Sequence, residues 1–205
     1  MVLYSLVIVI FFTITVLGGS RLESANGQER RVVIVVDMLR GFLEPGYPLD
    51  CGDAARAIIP AVRRRIEEEM TRGAAILWVA DNHAPNDAEF TIFPPHCLRG
   101  TAESEIIPEL SDLAEPANVL PKTRYSAFYG TDLDARLARL QPDVITIIGV
   151  CTDICVMHTV ADARNRDYVV IVPADCVATF DPDTHHFALD HMRRVLGATV
   201  ARSSQ

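Results

Sequence analysis

The chain has 205 residues, of which 49% are hydrophobic and 22% charged, with a formal net charge of −8. This length suits one domain with a substantial core and is short for two. The hydrophobic content excludes a disordered or collagen-like chain, and the acidic balance gives no general attraction to nucleic acid or anionic lipid. The five cysteines include no Cys-x-x-Cys pair, which is typical of a reduced, intracellular protein.

The first twenty residues carry no charged side chain, and the first charge is Arg21. Their apolar run is slightly shorter than the roughly 20 residues that span a bilayer, and it lacks the basic start of a signal peptide. Residues 1–20 are interpreted as an export signal, a short membrane anchor or a misassigned start. Residues 21–30 are predicted to be a polar linker, and residues 31–205 the folded domain.

Strand-like and helix-like segments alternate along that domain. Apolar β-branched runs predict buried strands at residues 32–36, 75–80, 119–120, 144–150 and 168–172. Helical spacing predicts helices at residues 54–70, 133–140, 153–165 and 184–196. The alternation predicts an α/β fold with a mostly parallel sheet.

The first predicted helix has an apolar face at helical spacing. Its inner residues should be Ile59, Val62, Ile66 and Met70. Pro60 should either open this helix or kink it, because proline lacks the backbone donor that a helix interior needs.

Candidate reactive residues follow the predicted strands. In open α/β sheets the active site lies beyond the carboxyl ends of the strands. Asp37 ends the first strand, Asp81 and His83 follow the second, Lys122 follows the short third strand, and Cys151 follows the fourth. These side chains are therefore expected to gather at one edge of the sheet.

Cys155 falls in the first turn of the helix after strand 144–150. A helix N-terminus lowers the pKa of a thiol, and its free N–H groups can bind an oxyanion. The simpler interpretation is a small buried hydrophobe, which is what most free cysteines are. In isolation, Asp37 is better explained as a helix cap and Lys122 as a surface lysine. Beside a cysteine they would instead be a base and a charge partner.

Asp81, His83 and His96 form a second constellation. Asp-x-His in an extended segment points both side chains the same way, and His96 could return from the following loop. Two imidazoles and one carboxylate suit Zn²⁺, Fe²⁺ or Mn²⁺, although two unrelated loop histidines would give the same pattern. The other histidines are interpreted as surface or interface residues: His158, His185, His186 and His191.

Four groups of motifs, in order along the chain, resemble the isochorismatase-like cysteine hydrolase superfamily and, within it, the nicotinamidases. They are VVIVVDMLRGF, DNHAPND with FPPHCLRGT, PKTRYSAFYGTDL and GVCTDICVMHTVADA. The resemblance runs from about Val32 to Val200. It implies a three-layer α/β/α, Rossmann-like fold with about six strands. It also implies hydrolysis of a small carboxamide to the acid and ammonia through a cysteine thioester.

The resemblance assigns a role to each catalytic residue. Cys155 matches the nucleophile, Asp37 the general base and Lys122 the third member of the triad. The backbone N–H groups of Cys151 and Cys155 would form the oxyanion hole. The family also has a cis peptide bond at the position of Val150–Cys151.

The metal and substrate positions are assigned in the same way. Asp81, His83 and His96 match the ligands of a divalent metal ion, and Phe42 and Phe93 match the aromatic residues that enclose a pyridine ring. The resemblance further implies a homo-oligomer, a cytoplasmic enzyme and a place in NAD salvage. Membrane contact or export would follow only if the N-terminal apolar segment is genuine.

Three residues depart from the nicotinamidase pattern. Leu39 stands where glutamine is usual, Asn82 where tryptophan is usual between two metal ligands, and Phe93 where tryptophan is usual before the prolines. These changes are expected to alter the pocket wall and leave the catalytic set intact.

Several alternatives to a nicotinamidase remain. The chain could be another hydrolase of the superfamily acting on a small amide, ureide or carbamoyl group, or isochorismatase itself, which lacks the metal set. It could also be a binding protein that kept the fold, or a metallohydrolase that does not use its thiol.

Overall fold

The computed structural model describes residues 29–201. The predictions for residues 1–20 and for most of the linker at 21–30 lie outside these residues. Within residues 29–201, no helix is long and apolar enough to cross a membrane.

Strands and helices alternate through the described residues, with short 3₁₀ turns between them. The strands are β1 (Arg31–Val36), β2 (Ala75–Asp81), β3 (Val119–Lys122), β4 (Val144–Val150), β5 (Val170–Pro173), β6 (Val177–Ala178) and β7 (Thr199–Ala201). The helices are α1 (Arg40–Leu43), α2 (Asp53–Ala57), α3 (Ile59–Thr71), α4 (Pro108–Ser111), α5 (Leu133–Leu140), α6 (Met157–Arg164) and α7 (Pro182–Arg194).

The strands form one parallel sheet in the order β3-β2-β1-β4-β5-β7, with β6 beside the carboxyl end of β4. β1 and β4 are central, and both are almost entirely buried, as their apolar β-branched sequences predict. The sheet has seven strands within residues 29–201 rather than about six. The short β6 and β7 have no recognisable sequence pattern.

Helices cover both faces of the sheet, which confirms the three-layer α/β/α fold. Val33 and Val35 of β1 belong to one buried cluster with Val62 and Ile66 of α3. Alternate residues of the same strand, such as Ile34, belong to a second cluster with residues of α5, α6 and α7. This alternation follows from the two-residue period of a strand.

The predicted helix at residues 54–70 is two helices that meet at Ile58. Pro60 lies in the first turn of α3, where its missing N–H costs nothing. Val62 and Ile66 are buried as predicted, but the prediction for Met70 is wrong, because that side chain is 47% exposed. The buried side chain of this last turn of α3 is Glu69 instead.

A close backbone approach joins the two central strands at their carboxyl ends. Gly149 of β4 pairs with Val36 of β1 and has a φ of 117°. A Cβ atom at this position would lie 2.0 Å from the carbonyl oxygen of Val36. Only glycine fits, and the residues that follow β1 and β4 are therefore held close together.

A buried ion pair ties α3 to the start of β1. The Glu69 side chain is 1% exposed, and its carboxylate accepts hydrogen bonds from Arg31 Nε at 2.6 Å and Nη2 at 3.0 Å. Burial raises the pKa of Glu69, but the hydrogen bond and charge of Arg31 outweigh it, so the net pKa is lowered. A carboxyl group with a lowered folded-state pKa stabilises the fold above its unfolded pKa, and this contribution is lost as the pH falls.

We therefore expect Glu69→Gln to lower the free energy of unfolding by about 1–3 kcal/mol at pH 7. The difference from wild type should shrink as the pH falls below the ordinary glutamate pKa of 4.5. Urea denaturation at several pH values measures the loss of unfolding free energy and its dependence on pH. Glu67→Gln, which removes an exposed partner of Arg63 on the same helix, is the control and should change little. A difference that stayed constant down to pH 3 would contradict the electrostatic explanation.

Candidate active site

Three side chains that the sequence assigns to the catalytic set lie together at the carboxyl edge of the sheet. Asp37 directly follows β1, Lys122 ends β3, and Cys155 lies in a π-helical turn after β4. All three are buried. The Nζ atom of Lys122 is 2.7 Å from Oδ2 of Asp37 and 3.5 Å from Sγ of Cys155. Parallel strands thus bring distant parts of the chain to one point.

The carboxylate of Asp37 is held by the backbone of β2. Its own backbone has a φ of 52°, a left-handed conformation that aspartate tolerates better than most residues. The amide of Asp37 donates to the carbonyl of Val79 at 2.9 Å. Its Oδ1 atom accepts from the amide of Asp81 at 2.9 Å. These contacts leave Oδ2 of Asp37 directed towards Lys122.

One ammonium and two carboxylates share this buried cluster. Burial raises the pKa of Asp37 to about 6; the charge of Asp81 adds to the rise, and the Lys122 ammonium opposes it. Burial alone would lower the pKa of Lys122, but the carboxylates of Asp37 and Asp81 raise it well above its usual value. At neutral pH the site therefore holds an ammonium beside ionised carboxylates.

Burial of Cys155 favours the protonated form of its thiol. Burial raises its pKa well above the ordinary cysteine value, and the charge of Lys122 only partly opposes this. The lower pKa expected from a helix N-terminus is not seen, because desolvation outweighs it. A carboxylate oxygen of Asp37 lies within 4.8 Å of Sγ. Asp37 is therefore placed to accept the thiol proton during attack.

Asp81, His83 and His96 form a second buried cluster beside the first. One ligand atom from each lies within 4.8 Å of the other two. The Nε2 atoms of His83 and His96 are 3.6 Å and 3.7 Å from the two carboxylate oxygens of Asp81. Nε2 of His83 is buried without a hydrogen-bond partner, as a nitrogen reserved for a metal ion would be.

The other nitrogens of these imidazole rings contact fixed partners. Nδ1 of His83 is 3.1 Å from the carboxylate of Asp87, and Nδ1 of His96 is 2.9 Å from the carbonyl oxygen of Pro94. Because a carbonyl oxygen only accepts, Nδ1 of His96 donates the proton. Outer contacts of this kind orient the ring and leave Nε2 free to bind a metal. The donor set therefore fits a divalent ion such as Zn²⁺, Fe²⁺ or Mn²⁺.

Glu89 belongs to this site, although the sequence analysis missed it. It lies on the 3₁₀ turn Ala88–Thr91, with Oε1 3.9 Å from Nε2 of His96. Its Oε2 atom is buried without a hydrogen-bond partner, and burial and the charge of Asp81 raise its pKa. Glu89 thus offers a further oxygen donor beside the ligand set. Its only sequence signal is an acidic residue between His83 and His96.

A partly enclosed cavity lies over both clusters. Aromatic rings supply much of its wall, namely Phe42, Phe93, Tyr125 and Phe180. Polar and thiol-bearing residues supply the remainder, among them Asp81, Glu89, His96, Cys151 and Cys155.

The predicted substrate contacts, Phe42 and Phe93, both line this cavity. Of the three residues that depart from the nicotinamidase pattern, Leu39 and Asn82 do not line the cavity. Leu39 is buried in the core, and Oδ1 of Asn82 accepts a hydrogen bond from Arg99 Nε at 2.9 Å. The expectation that all three departures alter the pocket wall is therefore wrong for Leu39 and Asn82.

Cys151 follows β4 across a cis peptide bond with Val150, as the resemblance implies. Its carbonyl oxygen accepts from the amides of Ile154 and Val156, both at 3.1 Å, and so closes the turn that carries Cys155. Cys151 and Cys155 both line the cavity. The oxyanion-hole role of their amides stays a prediction.

Of the remaining histidines, His158 and His186 are exposed, and His191 is half-buried. The surface interpretation is incomplete for His185. This side chain is half-buried, with Nδ1 2.9 Å from the hydroxyl of Thr152 in the π-helical turn. Burial lowers the pKa of His185 and favours its neutral form. Two adjacent histidines near the start of a helix gave no signal for this contact.

Known proteins share this arrangement of elements. The nicotinamidase/pyrazinamidase PncA from Bacillus subtilis is 35% identical, with 84% of this chain and 100% of that chain covered and a TM-score of 0.80. N-carbamoylsarcosine amidase from Thermoplasma acidophilum is 37% identical, with 86% of this chain and 98% of that chain covered and a TM-score of 0.75. The pyrazinamidase of Pyrococcus horikoshii in complex with zinc is 31% identical, with 84% of this chain and 99% of that chain covered and a TM-score of 0.77.

The family comparison agrees with these structures and covers the whole of the described fold. Residues 31–205 match the family model described as the isochorismatase domain. With this match and relatives above 30% identity over most of their length, the chain belongs to the isochorismatase family of hydrolases.

Proposed function

We propose that this protein hydrolyses a small carboxamide, with nicotinamide as the first candidate, to the acid and ammonia through a thioester on Cys155. The observation that carries the proposal is the buried contact of Lys122 with both Asp37 and Cys155 beneath an aromatic cavity. The similarity to a nicotinamidase and to an N-carbamoyl amide hydrolase supports amide chemistry. Nicotinamide hydrolysis would give the protein a part in NAD salvage.

In the first half-reaction, Asp37 accepts the thiol proton as Cys155 attacks the carboxamide carbon. The pKa of Asp37, about 6, leaves it ionised at neutral pH and still basic enough to act. Lys122 stabilises the developing thiolate by charge. Asp37 then gives its proton to the departing ammonia, which leaves a thioester on Sγ.

In the second half-reaction, Asp37 takes a proton from water as the water attacks the thioester. The C–S bond breaks, the acid is released, and Asp37 returns the proton to Sγ of Cys155. In both halves the amides of Cys151 and Cys155 would hold the tetrahedral oxyanion, each contributing about 3 kcal/mol.

The substrate would be held between the rings that line the cavity. Phe42 and Phe93 would enclose a flat heteroaromatic ring and exclude water from the thiol. A divalent ion held by Asp81, His83 and His96 would orient a ring nitrogen and withdraw electron density from the ring. Zinc is one candidate, because a related pyrazinamidase is described in complex with zinc.

A second candidate is the hydrolysis of an N-carbamoyl or ureido group by the same thiol. The similarity to N-carbamoylsarcosine amidase favours it. So does Phe93, because phenylalanine in place of the tryptophan usual in nicotinamidases changes the ring wall where the substrate would lie.

A turnover assay over a substrate panel separates these candidates. The panel contains nicotinamide, pyrazinamide, short aliphatic amides, ureido and N-carbamoyl compounds, and isochorismate, each followed by product release. We expect nicotinamide and pyrazinamide to be hydrolysed with ammonia release. Turnover of a carbamoyl compound without turnover of nicotinamide would replace the first candidate with the second. Turnover of isochorismate alone would contradict both.

If His96 is a metal ligand, replacing it should lower the amount of metal that the protein binds. We expect His96→Ala to lower the bound divalent metal at least tenfold, since one of two imidazole ligands is lost. Elemental analysis of dialysed protein measures this without reference to activity. His186→Ala, an exposed histidine on α7, is the matched control and should bind as much metal as wild type. Equal metal in both variants would contradict the assignment.

A further inference from the structure

Two cysteines that the proposed mechanism does not use as nucleophiles lie in direct contact. The Sγ atoms of Cys51 and Cys151 are 3.3 Å apart, although 100 residues separate them along the chain. Both side chains are buried. Cys51 lies just before α2, and Cys151 lies at the end of β4. Such proximity of two thiols is what a disulfide bond requires before it forms.

Only one of the two thiols borders the cavity. Cys151 lines it beside Cys155, whereas Cys51 lies behind Cys151. A small oxidant that enters the cavity therefore reaches Cys151 and finds Cys51 as the adjacent thiol. The buried thiols of Cys97 and Cys176 contact oxygen atoms of Glu103 and Asp175 instead of sulfur.

We propose that Cys51 and Cys151 form a peroxide-sensitive dithiol that closes to a disulfide and lowers turnover at the adjacent site. The Cys151 sulfur attacks hydrogen peroxide to give a sulfenic acid and one water. The Cys51 thiol then displaces the hydroxyl group as a second water, and the S–S bond forms. Two thiols are oxidised, one peroxide is reduced, and a thiol reductant such as dithiothreitol reverses the step.

The cross-link would act on both sides of the cavity. An S–S bond of about 2.05 Å draws the sulfur atoms together by more than 1 Å from their present contact. On one side it pulls Cys151, which borders the nucleophile turn. On the other it pulls Cys51, whose amide donates to the carbonyl of Phe42 at 2.9 Å. The hydrogen bond with Cys51 and burial raise the pKa of Cys151, so we expect the reaction to need excess peroxide.

The site is tested by mass mapping in the full chain carrying Cys155→Ala, which removes the competing nucleophile. Folded protein is treated with hydrogen peroxide, alkylated after unfolding and digested with trypsin. The expected product joins the peptides at residues 41–56 and 140–164, with two hydrogen atoms fewer than the separate peptides. Dithiothreitol before alkylation should abolish it. This result does not depend on the proposed amidase activity.

Two outcomes would overturn the site. One is recovery of both peptides as separate alkylated thiols after peroxide treatment of the folded protein. The other is a cross-link that forms only when the chain is unfolded in urea during oxidation, since the folded contact would then have no part in it.

The effect on turnover rests on the proposed function and has its own experiment. Wild type and Cys51→Ala are treated with a peroxide dose that leaves most of the Cys51→Ala activity intact. We expect wild type to lose about tenfold more turnover and to recover it with dithiothreitol. Equal loss in the two proteins would contradict the effect on turnover. Absence of amide turnover in untreated protein would instead count against the proposed function, and the mass result would stand.

Discussion

Cys155→Ala is expected to lower amide turnover on the order of 10⁴-fold or more while the protein remains folded. The variant loses the sulfur atom on which the proposed mechanism forms the thioester. The buried thiol lies next to Lys122 and within 4.8 Å of an Asp37 carboxylate oxygen. Removal of one sulfur atom from a small side chain should leave the packing of the turn nearly unchanged. Steady-state ammonia release measures the loss, and circular dichroism verifies the fold.

Cys176→Ala is the matched control for this prediction. Cys176 is also buried but does not line the cavity, so this variant should keep wild-type turnover. Full activity in Cys155→Ala would contradict the thioester mechanism. If activity then fell on metal chelation, hydrolysis by the set of Asp81, His83 and His96 without the thiol would be the better explanation.

Lys122→Met should lower the free energy of unfolding by about 3–5 kcal/mol and abolish hydrolysis. The Nζ atom of Lys122 is 2.7 Å from the Asp37 carboxylate and 2.6 Å from that of Asp81. Without the ammonium, two buried carboxylates face each other with no cation of the chain between them. Methionine has a similar volume to lysine, so the lost free energy of unfolding is due to the missing charge rather than to poorer packing. Urea denaturation measures the stability change.

A second substitution separates charge from packing in this variant. Asp37→Asn combined with Lys122→Met removes one of the two uncompensated carboxylates, so the double variant should recover part of the lost stability. Arg193→Met is the control, because it removes an exposed cation paired with Asp190 and should change stability by less than about 1 kcal/mol. If Lys122→Met unfolded at the same urea concentration as wild type, the Lys122 ammonium would not stabilise the two buried carboxylates as described.

Much of the fold follows from local sequence patterns. The apolar runs at β1, β2 and β4 and the periodicity of α5 predict those elements nearly to the residue. The gathering of Asp37, Lys122 and Cys155 follows from topology, because the carboxyl ends of parallel strands share one edge of the sheet. The resemblance of four groups of motifs, in order along the chain, then predicts the roles of these residues.

Other features depend on contacts that no local pattern contains. Glu89 reaches the ligand set because a long loop folds back over the sheet. The contact of Cys51 with Cys151 joins residues 100 positions apart. The pKa of Cys155 depends on how completely the cavity floor excludes water. Met70 had the right spacing for a buried residue, but the buried side chain in the last turn of its helix is Glu69, which pairs with Arg31.

Lys122 also determines how the whole chain responds to amine chemistry. It is the only lysine among the 19 lysine and arginine residues of the sequence. Its ammonium is buried beneath the cavity. No lysine amine is therefore available on the native surface for acylation, ubiquitin transfer or amine-directed coupling. Reaction of Lys122 with an amine reagent requires that the site open first, and the rate of that reaction would measure how often it does.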